Sequence, residues 1–507
     1  MSVSAKKIAS VVAIVLVIAA AAGYFYFIPQ QEKDYEREIA GFIDSLPGDL
    51  KTDSIKVNIV GGTAEIRGLR GTTKYLDGSD LTLDINSLTL SGVNLKAAAA
   101  TGIVDLADSL TVSDCTMRAK TLMEGYEPMD QDIQFMRFSL NNLKGNFAEL
   151  RALSKSDALS RQTVDALKSF SAGPVAIEGY VNTTNASAGS IIVSIDSFSA
   201  KRMSLLSGED MAWRNVKLTA MNSNIINIDA MSVAETRIPD VFNFLLEAEG
   251  VEDNEALAEL MLAEFKKEPL VAKKMTFEGF RFQYFMPEPL SIKTMVLDME
   301  LGAERLKVQK NTEGLVLPAM FYSILGMEAR QFGSFYGKAL ELSSRLDVEV
   351  NQKDGAGEVM LREFYLQDPA LASALVRAEL SFDTQGGGLD ALMDDNTKFL
   401  LKTGDLTLED KALLDLYYQA EIQALKSRNT GEALPEVAAL REAAAQTLQM
   451  FSLREEAPDQ AAMAQGLAKL VQAPGKLFIK ISPEAPIPLD GLLSGQVNAE
   501  VEFTPAQ

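Results

Sequence analysis

The stretch Ile55-Lys-Val-Asn-Ile-Val-Gly-Gly-Thr-Ala-Glu-Ile-Arg-Gly-Leu69 decides the fold class. Ile55, Val57 and Ile59 alternate with Lys56 and Asn58, so one face is apolar and the other polar. Gly61-Gly62 supplies a two-residue turn, and Ala64 and Ile66 return with Glu65 and Arg67 on the opposite face. A period of two on both sides of a glycine turn reads as a β-hairpin. Leu81, Leu83 and Ile85 continue the pattern after Asp77-Gly78. It recurs at Ile191–Ile195, Val216–Ala220, Leu346–Val350, Val376–Phe382 and Val497–Phe503. Half-buried strands of this kind belong to antiparallel sheets with one apolar and one wet face.

A second pattern rides on the first. Ala64-Glu-Ile-Arg-Gly-Leu69, Leu88-Thr-Leu-Ser-Gly-Val93 and Phe138-Ser-Leu-Asn-Asn-Leu143 share it, as do Val175-Ala-Ile-Glu-Gly-Tyr180 and Met275-Thr-Phe-Glu-Gly-Phe280. In each, the last apolar residue falls three places after its predecessor, which strict alternation would put on the wrong face. A Gly or Asn with positive φ at the fifth place restores the face and bends the strand. The copies are unevenly spaced, so this is a repeated device and not a tandem array of fixed period.

Helical spacing appears at Ile39, Phe42, Ile43 and Leu46 and stops at Pro47-Gly48. It appears again over Phe147–Phe170, Val241–Phe265, Lys411–Lys426, Leu434–Phe451 and Ala461–Val471. The loop Gly386-Gly-Gly388 marks a soft boundary. The expected class is α+β: an N-terminal transmembrane helix, an elongated, curved antiparallel sheet with interspersed helices, and a helix-rich C-terminal segment. The expected divisions are 1–33 for a cytoplasmic tail and anchor, 34–385 for a β-rich domain, and 386–507 for the helix-rich segment closing with strands.

The N-terminus carries Lys6 and Lys7, then an apolar run from Ile8 to Ile28 that is broken only by Ser10 and Gly23. A membrane-spanning helix needs about 20 such residues. Tyr24–Phe27 form an aromatic belt, and the acidic residues Glu32, Asp34, Glu36 and Glu38 follow. The lysines on the near side predict a short cytoplasmic tail with the bulk of the chain outside. Ala20 and Ala22 offer the alternative of a cleaved signal peptide.

Composition narrows the chemistry. A net charge of -22 argues against nucleic acid and against electrostatic docking on anionic lipid heads. With no histidine in 507 residues, the commonest general base and zinc ligand are missing. Cys115 is the single cysteine and reads as a small buried apolar residue. Walker, dinucleotide, GxSxG and EF-hand spacings do not occur. The acidic pairs Asp394-Asp395 and Asp77…Asp80 read as solvated turns. No catalytic, cofactor-binding or metal-binding residue is expected. A carboxylate pair of the glycosidase type stays open, because 70 acidic residues bring some pairs together.

The anchor Ile8–Ile28, the helix around Ile39–Leu46 and the strands Ile55–Leu69 and Leu81–Leu95 resemble, in that order, the AsmA-like group of bacterial envelope proteins. The YdgA-like proteins are similar more loosely. Pro47-Gly48-Asp49-Leu50-Lys51 departs from the Thr-Gly-Arg/Lys element that such proteins often carry there, and the helical stretch Lys411–Val471 exceeds the pattern. The resemblance implies an elongated β-groove, a single-pass position in the bacterial inner membrane with the bulk in the periplasm, and a non-enzymatic part in lipid transport or envelope homeostasis. Membrane lipid is the expected partner, with envelope proteins beside it. Phe280, Phe282, Leu88 and Leu90 are the lipid-facing candidates, and Ile8 and Ile28 bound the anchor. Two further readings are a scaffold of envelope machinery and a carboxylate-based hydrolase. A reporter active only outside the cytoplasm, fused after Gln507, is expected to work. Activity of a cytoplasm-only reporter there would reverse the topology.

Overall fold

The computed structural model describes residues 32–45, 48–74, 80–94, 102–121, 129–146, 164–165, 168–186, 189–240, 260, 267–284, 286–302, 304–323, 326–353, 355–384, 398–428, 434–452, 458–489 and 497–506. The apolar run Ile8–Ile28 lies outside them. Among the described residues no helix is long and apolar enough to cross a membrane. The expected α+β class with interspersed helices is corrected: among the described residues the structure is 64% strand and 21% helix. The reason lies in strand length. The alternating stretches quoted from the sequence are parts of longer strands, up to 19 residues. The stretches read as helical at 147–170 and 241–265 fall mostly outside the described residues.

The chain divides into two compact units, Met1–Phe277 and Glu278–Gln507. The soft boundary expected at Gly386 lies outside the described residues. In the first unit, helix α1 (Glu32–Ser45) precedes strands β1 (Gly48–Lys51), β2 (Ser54–Asn58), β3 (Thr63–Lys74), β4 (Asp80–Ser91), β5 (Ile103–Thr121) and β6 (Met129–Asn146). Then come β7 (Ser171–Ala172), β8 (Val175–Ala186), β9 (Gly189–Ala200), β10 (Arg202–Ser204), β11 (Ser207–Ala220) and β12 (Ser223–Arg237). Strand β13 (Leu270–Phe282) spans the division. The first unit is an antiparallel meander in which successive passes pair in chain order. The opening hairpin pairs Ile55 with Ile66 and Val57 with Ala64, two residues out of the register that a two-residue turn at Gly61-Gly62 would set. Its turn takes four residues, Ile59–Gly62, where two were expected. The Asn58 side chain accepts a bond from Gly61 N at 2.7 Å and holds that wider loop.

The five repeated positions all have positive φ: Gly68 (61°), Gly92 (61°), Asn142 (48°), Gly179 (63°) and Gly279 (63°). In the first unit they belong to two rows crossing the sheet. The registers align Gly68, Asn86, Asp114, Met136, Gly179, Asp196, Asn215 and Asp229 on successive strands. Every second member is left-handed, with Asp114 at 47° and Asn215 at 51° joining the glycines. A second row holds Gly92, Asp108 and Asn142, and Asn142 Nδ2 donates to Gly173 O at 2.8 Å. Short polar side chains suit this backbone because they bond locally. Asn86 Nδ2 donates to Asp114 Oδ2 at 3.1 Å, and Asn215 Nδ2 donates to Asp196 Oδ2 at 2.7 Å.

Each left-handed residue turns the chain by one side-chain position. Inward residues are therefore two apart between the rows and three apart across them, as in Ile66 to Leu69, Ile85 to Leu88, Val112 to Cys115 and Leu140 to Leu143. All eight are at most 5% exposed and share one core. Charged neighbours such as Glu65, Arg67, Asp84, Arg118 and Arg137 fall on the outer face. Helix α1 closes this core with Tyr35, Ile39 and Ile43, each 2–3% exposed. Glu36 and Glu32 of α1 also accept from Val57 N and Ile59 N at 3.3 and 3.2 Å, which satisfies amides beside edge strand β2.

The second unit places β14 (Leu290–Leu301), β15 (Arg305–Leu317), β16 (Leu340–Lys353), β17 (Ala356–Asp368), β18 (Ala372–Asp383) and β19 (Lys398–Asp410) side by side. Helix α2 (Met327–Tyr336) lies between β15 and β16 in sequence. Helices α3 (Leu413–Arg428), α4 (Val437–Ser452) and α5 (Pro458–Gln472) follow β19 and overlap the stretches 411–426, 434–451 and 461–471, running one to three residues past them. Strands β20 (Gly475–Ile481), β21 (Ile487–Pro488) and β22 (Ala499–Pro505) complete the sheet on β19. Replacing Gly279 by Val is expected to cost about 1–3 kcal/mol, because a β-branched residue strains a backbone of φ 63°. Gly279→Asn, which tolerates that region, is expected to lose less. Urea denaturation measures both, and equal stability of the Val variant would show that the left-handed backbone is not required.

Candidate functional site

Among the described residues, an apolar cavity lies wholly in the second unit. Leu366 of β17, Ala374 of β18 and Leu408 of β19 pair in one row that continues to Leu477 of β20. Period-two alternation turns these residues to one face, where helices α3 and α5 meet the sheet. Two small cores form under the helices. One gathers Tyr322, Phe332 and Leu371 with Leu340, and the other gathers Leu470, Leu477 and Ile479 with Leu408. Between them remains a cavity of about 370 Å³, walled by Leu340, Leu342, Leu366, Leu371, Leu408, Leu413, Leu414 and Leu470. That volume is within the range of small-molecule sites, about 300–1,000 Å³. Leu366 and Leu413 keep 37% and 36% of their surface exposed, so the cavity opens to solvent.

Helix α5 approaches closely because it presents small residues, Ala464, Gly466 and Ala468, before Leu470. A side chain at Gly466 would run into Val501 and Leu477. Helix α3 starts where Leu371 O accepts from Lys411, Ala412 and Leu413 N at 2.9, 3.1 and 3.3 Å. Asp410 Oδ1 accepts from Leu414 N at 3.1 Å and caps the first turn. Asp368, 8% exposed, accepts from Ala370, Leu371 and Glu341 N at 2.9, 3.2 and 3.2 Å. Both carboxylates at the cavity's end are thus committed to the backbone.

Arg441 of α4 ties these parts together. Its Nη2 donates to Asp410 Oδ2 at 3.1 Å and its Nη1 to Val471 O at 2.9 Å. Its Nε stands 2.8 Å from Asp415 Oδ1 without hydrogen-bond alignment, so that contact is coulombic. The Arg441 and Asp410 side chains are each 5% exposed.

The residues singled out from the sequence lie elsewhere. Leu88 and Leu90 are 2% exposed and fill the core of the first unit, which corrects their reading as lipid-facing. They are consumed by packing in the core that α1 and β1–β6 share. Phe280 and Phe282 are half-buried on β13, on one face by their spacing. Ile8 and Ile28 lie outside the described residues, as do Asp77, Asp394 and Asp395, while Asp80 begins β4. Cys115 is buried, and that burial, with Asp84 nearby, pushes its thiol up to about 12. Among the described residues no group of three or more acidic or thiol side chains is placed to hold a metal ion.

The inner face of the first unit also changes along the sheet. Leu110 and Val112 of β5 are 0% exposed, whereas the inward residues Ile195, Val216 and Ile228 of β9, β11 and β12 are half-buried and Ile191 is 49% exposed. Phe198 and Trp213 pair across this face with ring centroids 5.0 Å apart. No protein-family model matches the chain, and no curated protein sequence matches it.

Nothing in the sequence singled out the cavity, because its leucines come from five elements. A lone arginine in the Ala-rich run Val437–Ala445 was the one available signal. Arg441→Met is expected to lower stability by about 3–5 kcal/mol, because Asp410 is left as an uncompensated buried charge. The double variant Asp410→Asn/Arg441→Met is expected to recover most of that loss, with Asn keeping the helix cap. Denaturant titration measures both, and equal losses would show that the ion pair is not what Arg441 contributes.

Proposed function

We propose that this chain is a binding protein that shelters an aliphatic tail, held at a membrane by Ile8–Ile28 with its bulk outside the cytoplasm. The observation that carries the reading is the leucine-walled cavity of about 370 Å³ in the second unit. Of its carboxylates, Asp368 and Asp410 are engaged by backbone N–H groups and Arg441, and Glu409 accepts from Ser373 Oγ at 3.0 Å. They therefore offer no free acid–base pair, which supports binding over hydrolysis. The half-buried inner face at Ile195, Trp213, Val216 and Ile228 supports a second apolar surface of the same character.

The magnitudes fit reversible binding. Each methylene removed from water contributes about 0.8 kcal/mol. About eight methylenes yield roughly 6 kcal/mol, against an association cost of about 4 kcal/mol or more. A tail in this cavity is thus picked up and released, as a carrier requires, and no catalysis is involved.

Mass spectrometry of lipids extracted from purified residues 34–507 is expected to find acyl-chain lipid, and the protein is expected to take up a fluorescent acyl probe. Ala374→Phe fills the cavity without adding charge and is expected to weaken uptake about tenfold or more, equivalent to about 1.4 kcal/mol. Its melting temperature should stay near that of the parent. Lipid-free protein that takes up no probe would overturn the reading in favour of a scaffold of envelope machinery.

A further inference from the structure

We infer that Arg441 is the positioning residue of a latch that holds the helical wall of the cavity closed, and that release of this latch admits the aliphatic tail. The inference deepens the binding reading above and rests on it. Three observations lead to it. First, one guanidinium reaches the end of β19 at Asp410, the first turn of α3 at Asp415 and the end of α5 at Val471. Second, those are the points from which the cavity wall hangs. Leu413 and Leu414 follow Asp410, Leu414 N is bonded to its carboxylate, and Leu470 precedes Val471. Third, among the described side chains of α4 only Arg441 and Ala445 are deeply buried, at 4% and 0% exposure, and the helix packs chiefly on α5.

An apolar side chain in the same volume would hold α4 at least as firmly, because desolvating two charges offsets most of their attraction. The ion pair adds direction instead. It is strong in one geometry and weakens steeply once donor and acceptor part. Movement of α4 therefore frees the starts and ends of the two wall helices together, and the leucines lining the cavity move with them. The sheet residues Leu366, Ala374 and Leu408 stay in their strand register.

The test uses the full chain in nanodiscs of neutral phospholipid, comparing the parent, Arg441→Lys and Asp410→Asn/Arg441→Met. The double variant removes the latch without stranding a charge. It is expected to speed amide exchange at 411–416 and 468–473 about tenfold, with exchange in β18 unchanged. Stopped-flow uptake of a fluorescent C12 acyl probe is expected to rise by a similar factor, and Arg441→Lys, which cannot span three acceptors, is expected to fall between. Unchanged exchange would overturn the latch. Faster exchange with an unchanged uptake rate would overturn its role as a gate. A parent chain that takes up no probe would overturn the binding reading and the gate with it, while the exchange measurement would still show whether Arg441 holds the wall.

Discussion

An extended strand shows its side chains alternately to two faces, and a sheet built only of such strands keeps one gentle curvature. The first unit departs from this at two lines, and everything else in it depends on how. At each line, every second strand carries one residue with φ between 47° and 63°. That single dihedral choice shifts the side-chain phase by one place, so the same apolar face continues round the bend. Without it, Leu69, Cys115 and Leu143 would turn to solvent and Gly68, Asp114 and Asn142 would turn inward. The core and the site of α1 follow from the two creases.

The charges follow from the same geometry. Because the apolar residues hold one face, Asp, Glu, Lys and Arg are left on the other, where they pair in modest, exposed contacts such as Arg70 with Asp84 at 3.0 Å. The second unit shows a denser version on its outer face. Arg362 and Arg305 both donate to Glu349, at 2.7 and 3.1 Å. The bond from Arg362, with Asn351 and the two guanidinium charges, holds the Glu349 carboxyl below the usual range. Arg441 is the exception, since it carries its charge inside. There the surroundings amplify both its attraction to Asp410 and the cost of losing it.

The two units handle spare apolar surface differently. In the first, strands β3–β6 bury theirs almost completely against α1 and one another, and β9–β12 leave theirs half-covered. In the second, helices α3 and α5 cover the sheet from two sides and leave the gap between two small cores open. A gap of this size lined by leucines is costly to keep empty in a packed protein. A ligand that fills it restores those contacts, which is why the cavity reads as a site and not as a packing fault.

Strand positions and the left-handed places were legible in the sequence because each depends on neighbours only a few residues away. Alternation sets the face, and a three-residue gap at Gly or Asn announces the bend. The bends at Asp114 and Asn215 obeyed the same rule, at Val112-Ser-Asp-Cys115 and Trp213-Arg-Asn-Val216, but aspartate and asparagine are common enough to pass as surface residues. Strand length was not legible, since a crease and a strand end look alike along the chain. Nor was the cavity. Leu340, Leu366, Leu408, Leu413 and Leu470 look like core leucines, and Leu88 and Leu90 looked like lining. Burial is a property of what surrounds a residue, so the core shared by α1 and β1–β6 took in Leu88 and Leu90, and the gap between two helices made the other leucines a wall.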